Sequence, residues 1–217
     1  MKQFPNLFHI VGYDQNRGLG LALNYGLEHC KNELVARMDT DDIAKPNRCE
    51  KQVEMFEKKP ELAIVGSAVD EFYGKPEHIT GRRVVPTKYE EIYEFAKRRS
   101  AFNHPSVMYR KSKVLEFKGY GNLRRNQDVD LFGRMLYGGC KAANFEESLL
   151  WFRSDENLAK TAEELGKHKV LYRHHKKILE DGLFRLWRLY RCRRSADSDV
   201  FDAYWSSELV YINVLRK

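Results

Sequence analysis

The chain has 217 residues, of which 42% are hydrophobic and 32% are charged. This composition is sufficient to bury a core, so it excludes a wholly disordered chain. No apolar run reaches the roughly 20 residues of a membrane-spanning helix, and the first residues lack a signal-peptide core. The 4 cysteines have no CxxC spacing, which argues against a disulfide framework or a zinc knuckle and predicts reduced thiols in the cytoplasm.

The net charge of +7 is unevenly distributed. Between Lys167 and Arg194, basic residues greatly outnumber the two acids, Glu180 and Asp181. This segment suits an anionic partner, although a solvated helix face explains the pattern equally well.

The first part of the chain alternates between predicted strands and helices. Apolar runs predict strands at 7–11, 33–38 and 62–69. Leucines at helical spacing predict a helix from Leu19 to Leu27, and Pro46 lies near the start of a second helix. This alternation predicts a parallel α/β sheet in which Leu34–Met38 and Ala63–Val65 are neighbouring strands.

The remaining segments predict a less regular order. Residues 71–86 read as a loop or hairpin, and helices are expected at 89–98 and 126–137. Further strands are expected at 106–109, 141–145 and 149–152, whereas everything from about Asn157 reads as helical. The sequence therefore predicts an α/β domain over residues 1–156 and a basic helical extension over residues 157–217.

An acidic cluster, Asp39-Thr40-Asp41-Asp42, follows the second predicted strand. Ligand sites of open α/β sheets gather at the carboxyl ends of strands. Three carboxylates so close together repel one another unless a cation or hydrogen-bond donors neutralise them. Mg²⁺ or Mn²⁺ shared with a substrate diphosphate would do this. The alternative is an acidic loop that caps the next helix.

Two further motifs contain candidate catalytic residues. Asp128 lies at a predicted helix start and is a candidate general base, whereas Asp130 could simply complement the helix dipole. His104 precedes Pro105 and is therefore expected in extended backbone, as a catalyst or as a structural hydrogen-bonding group. The three histidines at 168, 174 and 175 lack nearby carboxylate or cysteine partners and are interpreted as part of a basic helix surface.

Four stretches together resemble the family 2 glycosyltransferases, which are inverting GT-A enzymes of bacterial polysaccharide assembly. They are, in the order that the family requires, 16–52 (NRGLGLALNYGLEHCKNELVARMDTDDIAKPNRCEKQ), 61–67 (ELAIVGS), 103–114 (NHPSVMYRKSKV) and 126–136 (NQDVDLFGRML). The resemblance implies a GT-A-like, Rossmann-like mixed sheet flanked by helices. It covers residues 16 to about 153.

The resemblance also implies a mechanism and a set of site residues. Asp39 and Asp41, supported by Asp42, would hold the metal and the nucleotide sugar, expected to be a UDP-sugar, and Arg17 would assist in binding it. Asp128 would deprotonate a hydroxyl of a glycan or lipid-linked acceptor, which attacks the anomeric carbon with inversion. The resemblance further implies that His104 and Arg134 line the acceptor or phosphate side.

The chain departs from the family pattern in three ways. Family members usually begin with a strand–helix–strand unit of the nucleoside pocket, and the resemblance implies that this sequence lacks about 50 residues of this kind. Gln127 replaces the glutamate that precedes the family's base, and Arg153-Ser154-Asp155 stands where many relatives have Arg-x-His. An inactive remnant or a binding module of the same fold is therefore an alternative.

A different enzyme class also fits an Asp-x-Asp after a buried strand. In haloacid-dehalogenase-like phosphatases, Asp39 would be the nucleophile and Asp41 the acid, with Ser67, Asp128 and Asp130 in supporting roles. This alternative leaves the NRGLG and HPSVMYRK stretches unexplained.

The basic extension predicts a surface for lipid. On a helical wheel of Leu183–Arg194, Leu183, Trp187 and Tyr190 share a face that is flanked by arginines. This pattern suits a helix lying in the interface of an anionic membrane, which would place a cytoplasmic enzyme peripherally on the inner face. Packing of the same face against the α/β domain is the alternative. Nucleic acid is not expected, because no groove-reading motif accompanies the charge.

Overall fold

The computed structural model describes residues 9–123, 125–154 and 209–213. Within these ranges, the strands of one mixed sheet are β1 (Leu34–Asp39), β2 (Ile43–Ala44), β3 (Leu62–Phe72), β4 (Ile79–Arg83), β5 (Met108–Arg110), β6 (Lys141–Arg153) and β7 (Leu209–Asn213). The helices are α1 (Leu19–His29), α2 (Arg48–Lys58), α3 (Tyr89–Ala96), α4 (Lys111–Glu116) and α5 (Gln127–Tyr137), with a 3₁₀ turn at His104–Ser106.

The strand order is β2-β6-β3-β5-β1-β7, and β4 forms a hairpin with β3. The β3 and β6 strands are parallel, and the other pairs are antiparallel. Tyr109 of β5 pairs with Val35 of β1 on one side and with Ile64 of β3 on the other. The prediction that β1 and β3 are neighbours is therefore wrong in detail. They run parallel in one sheet, but β5, which comes much later in the chain, lies between them.

Two apolar clusters form the core and explain the apolar runs in the sequence. One includes Leu23 and Leu27 of α1 and Leu131 of α5, and the other includes Phe56 of α2 and Val65 of β3. The first eight residues of β3 are all buried. A strand covered on both faces reads as a continuous apolar run, which is why 62–69 was predictable.

The predicted strand at 7–11 is wrong for the residues that the structure describes. Residues 9–11 form no strand, and the Ile10 side chain is 73% exposed. The reason lies in the sheet: β1 pairs with β5 on one edge and with β7 on the other. Neither edge of β1 is left for this segment.

The last strands also differ from the prediction. Residues 141–145 and 149–152 belong to a single strand, β6, in which Glu146 and Glu147 are exposed and the register against β3 shifts. Residues 209–213, expected to be helical, form β7. The rest of the predicted extension, 157–208 and 214–217, lies outside the described residues, so the boundary at 156/157 stays a prediction.

Other local predictions are confirmed. Helices occur at the predicted places as α1, α2, α3 and α5, and the hairpin excursion contains β4. Cys30, Cys49 and Cys140 are free thiols. In the part of the chain that the structure describes, no helix combines the length and the apolar character needed to cross a bilayer.

Candidate active site

The acidic loop begins where β1 ends. Asp39 is the last residue of β1, and the backbone N–H of Asp42 donates to the Asp39 carbonyl at 3.3 Å. This turn leads directly into β2 and places all three aspartates at the carboxyl end of β1, a strand that is paired on both edges. The structure thus brings together the residues that the sequence singled out as a ligand site.

Asp39 is paired with a buried arginine. The Arg37 side chain is only 2% exposed, and its Nη1 donates to Asp39 Oδ2 at 2.8 Å. Its Nη2 donates to Asp39 Oδ1, so the guanidinium engages both carboxylate oxygens. A bidentate pair of this kind fixes the plane of the carboxylate.

Asp41 and Asp42 have different surroundings. Asp41 is exposed, whereas Asp42 is 5% exposed. Asp42 Oδ1 accepts from the Arg153 backbone N–H at 2.9 Å, and Oδ2 has no hydrogen-bond partner among the described residues. Burial, together with the charges of Asp39 and Asp41, raises the pKa of Asp42 to about 7 against the opposing effect of the Arg153 N–H. A cation beside Oδ2 would stabilise the ionised form of the Asp42 carboxylate.

These carboxylates fit a divalent ion that is shared with a substrate. No group of three or more His, Cys, Asp or Glu side chains within the described ranges has the arrangement of a complete protein metal site. Mg²⁺ sites commonly use only one or two carboxylates, with phosphate oxygens and water completing the shell. The exposed Asp41 and the unpartnered Asp42 oxygen meet this requirement, whereas both oxygens of Asp39 are already held by Arg37.

Arg153, at the end of β6, holds the acidic loop in place. Besides the backbone contact with Asp42, its Nε donates to the Asp41 carbonyl at 2.9 Å. Its guanidinium also lies 4.6 Å from the centre of the Phe72 ring. The arginine of the Arg153-Ser154-Asp155 segment therefore braces the turn from outside, and Asp155 lies outside the described residues.

Asp128 lies in the first turn of α5, next to the buried Gln127. Burial raises the pKa of Asp128, while the N–H groups of the first turn and the charge of Arg37 oppose this increase. The charge of Asp39 raises it further. The candidate base and the acidic loop therefore lie within electrostatic range of each other.

His104 is half-buried in the same polar region, and it begins a 3₁₀ turn, so the prediction that it lies in extended backbone is wrong. Its Nε2 is 3.0 Å from the Tyr120 hydroxyl, and its ring packs against the Phe132 ring. Burial, with the charge of Arg37, holds the pKa of His104 well below its usual value. His104 is thus neutral near pH 7 and forms a hydrogen bond, which agrees with the structural interpretation and leaves its role toward the acceptor a prediction.

Arg134 and Arg17 lie in different environments. Arg134 donates to Asp130 Oδ2 at 2.8 Å and to the Gly119 carbonyl at 2.7 Å, so its guanidinium braces the segment before α5. Arg17 is exposed and lies 4.8 Å from the centre of the Tyr13 ring. Their predicted contacts with acceptor, phosphate or nucleotide stay predictions.

Sequence reasoning missed three buried residues of this region. They are Arg37, Arg48 and Tyr120. Arg48 is 0% exposed, and its Nη2 donates to the carbonyls of Arg37 and Val107 at 2.7 and 3.3 Å. The sequence does contain one sign of this buried region, because Arg37 is a charged residue within an otherwise apolar predicted strand. The residues of two further predictions, the histidines at 168, 174 and 175 and the segment Leu183–Arg194, lie outside the described residues.

Comparisons with known proteins place this architecture among glycosyltransferases. An uncharacterized glycosyltransferase of Haemophilus influenzae is 39% identical over 76% of this chain and 61% of its own length. The amylovoran biosynthesis glycosyltransferase AmsE of Erwinia amylovora is 39% identical over 69% of this chain and 55% of its own. The UDP-Gal:alpha-D-GlcNAc-diphosphoundecaprenol beta-1,3-galactosyltransferase of Escherichia coli is 36% identical over 68% and 53%.

A solved structure has the same fold. The mannosyltransferase PcManGT of Pyrobaculum calidifontis, in complex with GDP-Man and Mn²⁺, has a TM-score of 0.50 at 17% identity, over 79% of this chain and 46% of its own. The chain spans between about half and three fifths of the length of the curated relatives named above. The model of the glycosyl transferase family 2 matches residues 1–124. The chain belongs to glycosyl transferase family 2.

Proposed function

We propose that this chain carries the donor and base groups of an inverting transferase that moves a sugar from a UDP-sugar to a polysaccharide or lipid-linked acceptor. One observation supports the proposal most. The buried Arg37 pairs with Asp39 of the acidic loop, and its charge also acts on Asp128. A direct displacement needs the donor site and the general base on the same side of the molecule, and the charges of Arg37 and Asp39 both act on Asp128. Family membership argues against the phosphatase interpretation of Asp39 and Asp41.

The proposed chemistry is one displacement. Asp128 accepts the proton of an acceptor hydroxyl, and the oxygen attacks the anomeric carbon from the face opposite the nucleotide. The bond between that carbon and the diphosphate breaks, and the nucleotide diphosphate leaves with the electron pair. The raised pKa of Asp128 makes its ionised form a stronger base than an ordinary aspartate.

Mn²⁺ or Mg²⁺ is the proposed cofactor, with Asp41 and Asp42 as its protein ligands. When bound, the ion supplies positive charge where negative charge develops on the leaving diphosphate. Asp39, predicted as a third ligand, is instead held by Arg37 and is proposed to accept hydrogen bonds from the donor. Arg153 keeps Asp41 and Asp42 in position through its two contacts with the loop.

The names of similar proteins support the proposed donor and acceptor. The E. coli relative uses UDP-Gal and a diphosphoundecaprenol-linked acceptor, and the E. amylovora relative serves amylovoran biosynthesis. The P. calidifontis structure contains a nucleotide sugar and Mn²⁺. We therefore infer a cytoplasmic enzyme that acts near the inner face of the membrane, where a lipid-linked acceptor would be found.

A transfer assay tests the proposal. The full chain is incubated with Mn²⁺, a panel of UDP-sugars and a diphosphoundecaprenol-linked sugar, and UDP release and product configuration are measured. We expect UDP release that depends on the acceptor, and a glycosidic bond of inverted configuration in the NMR spectrum. A product of retained configuration would contradict the mechanism. An absence of transfer with every donor would instead favour the inactive remnant or binding module.

A further inference from the structure

Arg37 is a buried charge on a strand that is paired on both edges. It belongs to β1, its neighbours Val35 and Ala36 are fully buried, and its own side chain is 2% exposed. A buried guanidinium destabilises a fold unless it is paired, and replacing such a pair with apolar residues is often neutral or stabilising. Fold stability alone therefore gives little reason to place an arginine here.

The geometry of the Arg37 pair leaves Asp39 able to bind a ligand. The guanidinium fork takes one lone pair on each carboxylate oxygen, and a carboxylate offers about four acceptor sites in total. The remaining sites accept hydrogen bonds in a plane that Arg37 fixes. A second cation on the same carboxylate would be repelled by the guanidinium, so neutral hydroxyl donors suit Asp39 better than a metal ion.

The backbone of Arg37 is held from two sides. Its N–H donates to the Val107 carbonyl at 2.9 Å, and its carbonyl accepts from Arg48 Nη2 at 2.7 Å. These contacts connect β1 to the segment that carries His104 and to α2. The plane of the guanidinium, by contrast, is set by its two contacts with the Asp39 carboxylate.

The charge of Arg37 also reaches the acceptor side of the site. It acts on Asp128 at the start of α5, on His104 in the 3₁₀ turn and on Tyr120 in the loop before α5. The groups of opposite charge that face it are Asp39, Asp42 and Asp128. The positive charge of Arg37 therefore acts both on Asp39 of the acidic loop and on Asp128, the proposed base.

We propose that Arg37 is a positioning residue of the donor site, which fixes the Asp39 carboxylate so that its free lone pairs accept hydroxyl groups of the nucleotide. This inference rests on the proposed function. It assigns to Arg37 a role that acts through Asp39 and not through the stability of the sheet.

Arg48 provides the matched control. It is as buried as Arg37, but the described hydrogen bonds of its side chain go to Gln52 and to the carbonyls of Arg37 and Val107. A lysine at either position keeps the charge and loses the planar fork. If buried arginines matter here only for packing, Arg37→Lys and Arg48→Lys should have the same effects.

The experiment measures UDP affinity by calorimetry in the presence of Mn²⁺, and the melting temperature of each variant. We expect Arg37→Gln to weaken UDP binding by about tenfold or more, the scale of a lost hydrogen bond to a charged group. Arg37→Lys should recover part of this loss. Arg48→Lys should lower the melting temperature but leave the UDP affinity of the folded protein within about twofold.

A double-mutant cycle with Asp39→Asn tests whether Arg37 acts through Asp39. If it does, adding Arg37→Gln to Asp39→Asn should weaken UDP binding by less than about twofold more. If the losses in UDP affinity from the two substitutions multiply, the inference about Arg37 is overturned. It is also overturned if folded Arg37→Lys and Arg37→Gln bind UDP like the wild type. In both cases the proposed function still stands. A wild-type protein that binds no UDP at millimolar concentration would overturn the proposed function and this inference together.

Discussion

Asp128, the proposed general base, is partly buried in the first turn of α5, and burial raises its pKa. Asp128→Asn removes the proposed base but keeps the shape of the side chain. We expect transfer to fall by about 10² or more, while UDP binding stays unchanged. Initial rates and calorimetry on the same preparation measure the two effects.

Asp130 offers a control on the same helix. Its carboxylate is paired with Arg134 at 2.8 Å. Asp130→Asn therefore removes an equal charge two residues away, and we expect a much smaller effect on transfer than for Asp128→Asn. Wild-type rates in Asp128→Asn would show that another group is the base.

His104 gives a prediction about stability. Burial holds its pKa well below 6.5 in the folded protein, whereas the unfolded chain takes up a proton below about 6.5. The unfolded state then binds more protons, so this group's contribution to the free energy of unfolding is lost as pH falls below 6.5. The slope is at most about 1.4 kcal/mol per pH unit. Urea titrations between pH 7.5 and 5 should show a shallower decline for His104→Gln, and equal slopes would contradict this account.

Most of the candidate site could be predicted from single residues, but their partners could not. The acidic loop and the helix start at Asp128 are local patterns, so their positions follow from hydrophobic periodicity and capping. The pairing of Arg37 with Asp39, and the burial of Asp42, depend on how β5, β6 and α2 meet β1. Contacts between segments distant in the chain leave no periodic signal in the sequence.

At the scale of elements, the contact between β3 and β6 is tight enough to exclude a methyl group. A Cβ on Gly66 would collide with Asn144 Oδ1 and lie 3.2 Å from the Phe102 ring. Asn144 cannot easily move, because its Nδ2 donates to the carbonyls of Pro86 and Ala101 at 2.6 and 3.0 Å. We therefore expect Gly66→Ala to destabilise the fold by about 1–3 kcal/mol in urea unfolding.

Gly133 in α5 serves as the control for Gly66. A Cβ there meets nothing within 4 Å. Alanine inside a helix is favoured over glycine, so Gly133→Ala should stabilise the protein by about 0.5–1 kcal/mol. Equal effects of the two substitutions would show that the β3–β6 contact is looser than described.

The elements themselves were more predictable than their arrangement. Helices such as α1 and α5 follow from leucine spacing, and β3 follows from an apolar run. The order of the strands could not be predicted from the sequence, because β5 is short and lies in the sheet between two strands that precede it in the chain. The strand expected at 7–11 is not formed by residues 9–11. Its place beside β1 is not available, because both edges of β1 pair with other strands.

For the whole molecule, membrane association stays a proposal that rests on the basic segment 167–194. If Leu183–Arg194 lies in an anionic interface, the chain should float with acidic liposomes at low salt and be released as salt rises, since each basic residue contributes about 1 kcal/mol. Liposome flotation at two salt concentrations measures this. Equal recovery with neutral and acidic liposomes, or no flotation, would rule out the membrane role.

The acidic loop is proposed to bind the diphosphate of a nucleotide through a divalent metal ion. Titration of UDP into the full chain by calorimetry, with and without Mn²⁺, tests this proposal most directly, with Asp41→Ala as the comparison. UDP binding should require Mn²⁺ and should be lost in Asp41→Ala, because one proposed metal ligand and one negative charge disappear together. UDP binding that is unaffected by Mn²⁺ or by Asp41→Ala, or no binding at millimolar UDP, would contradict it.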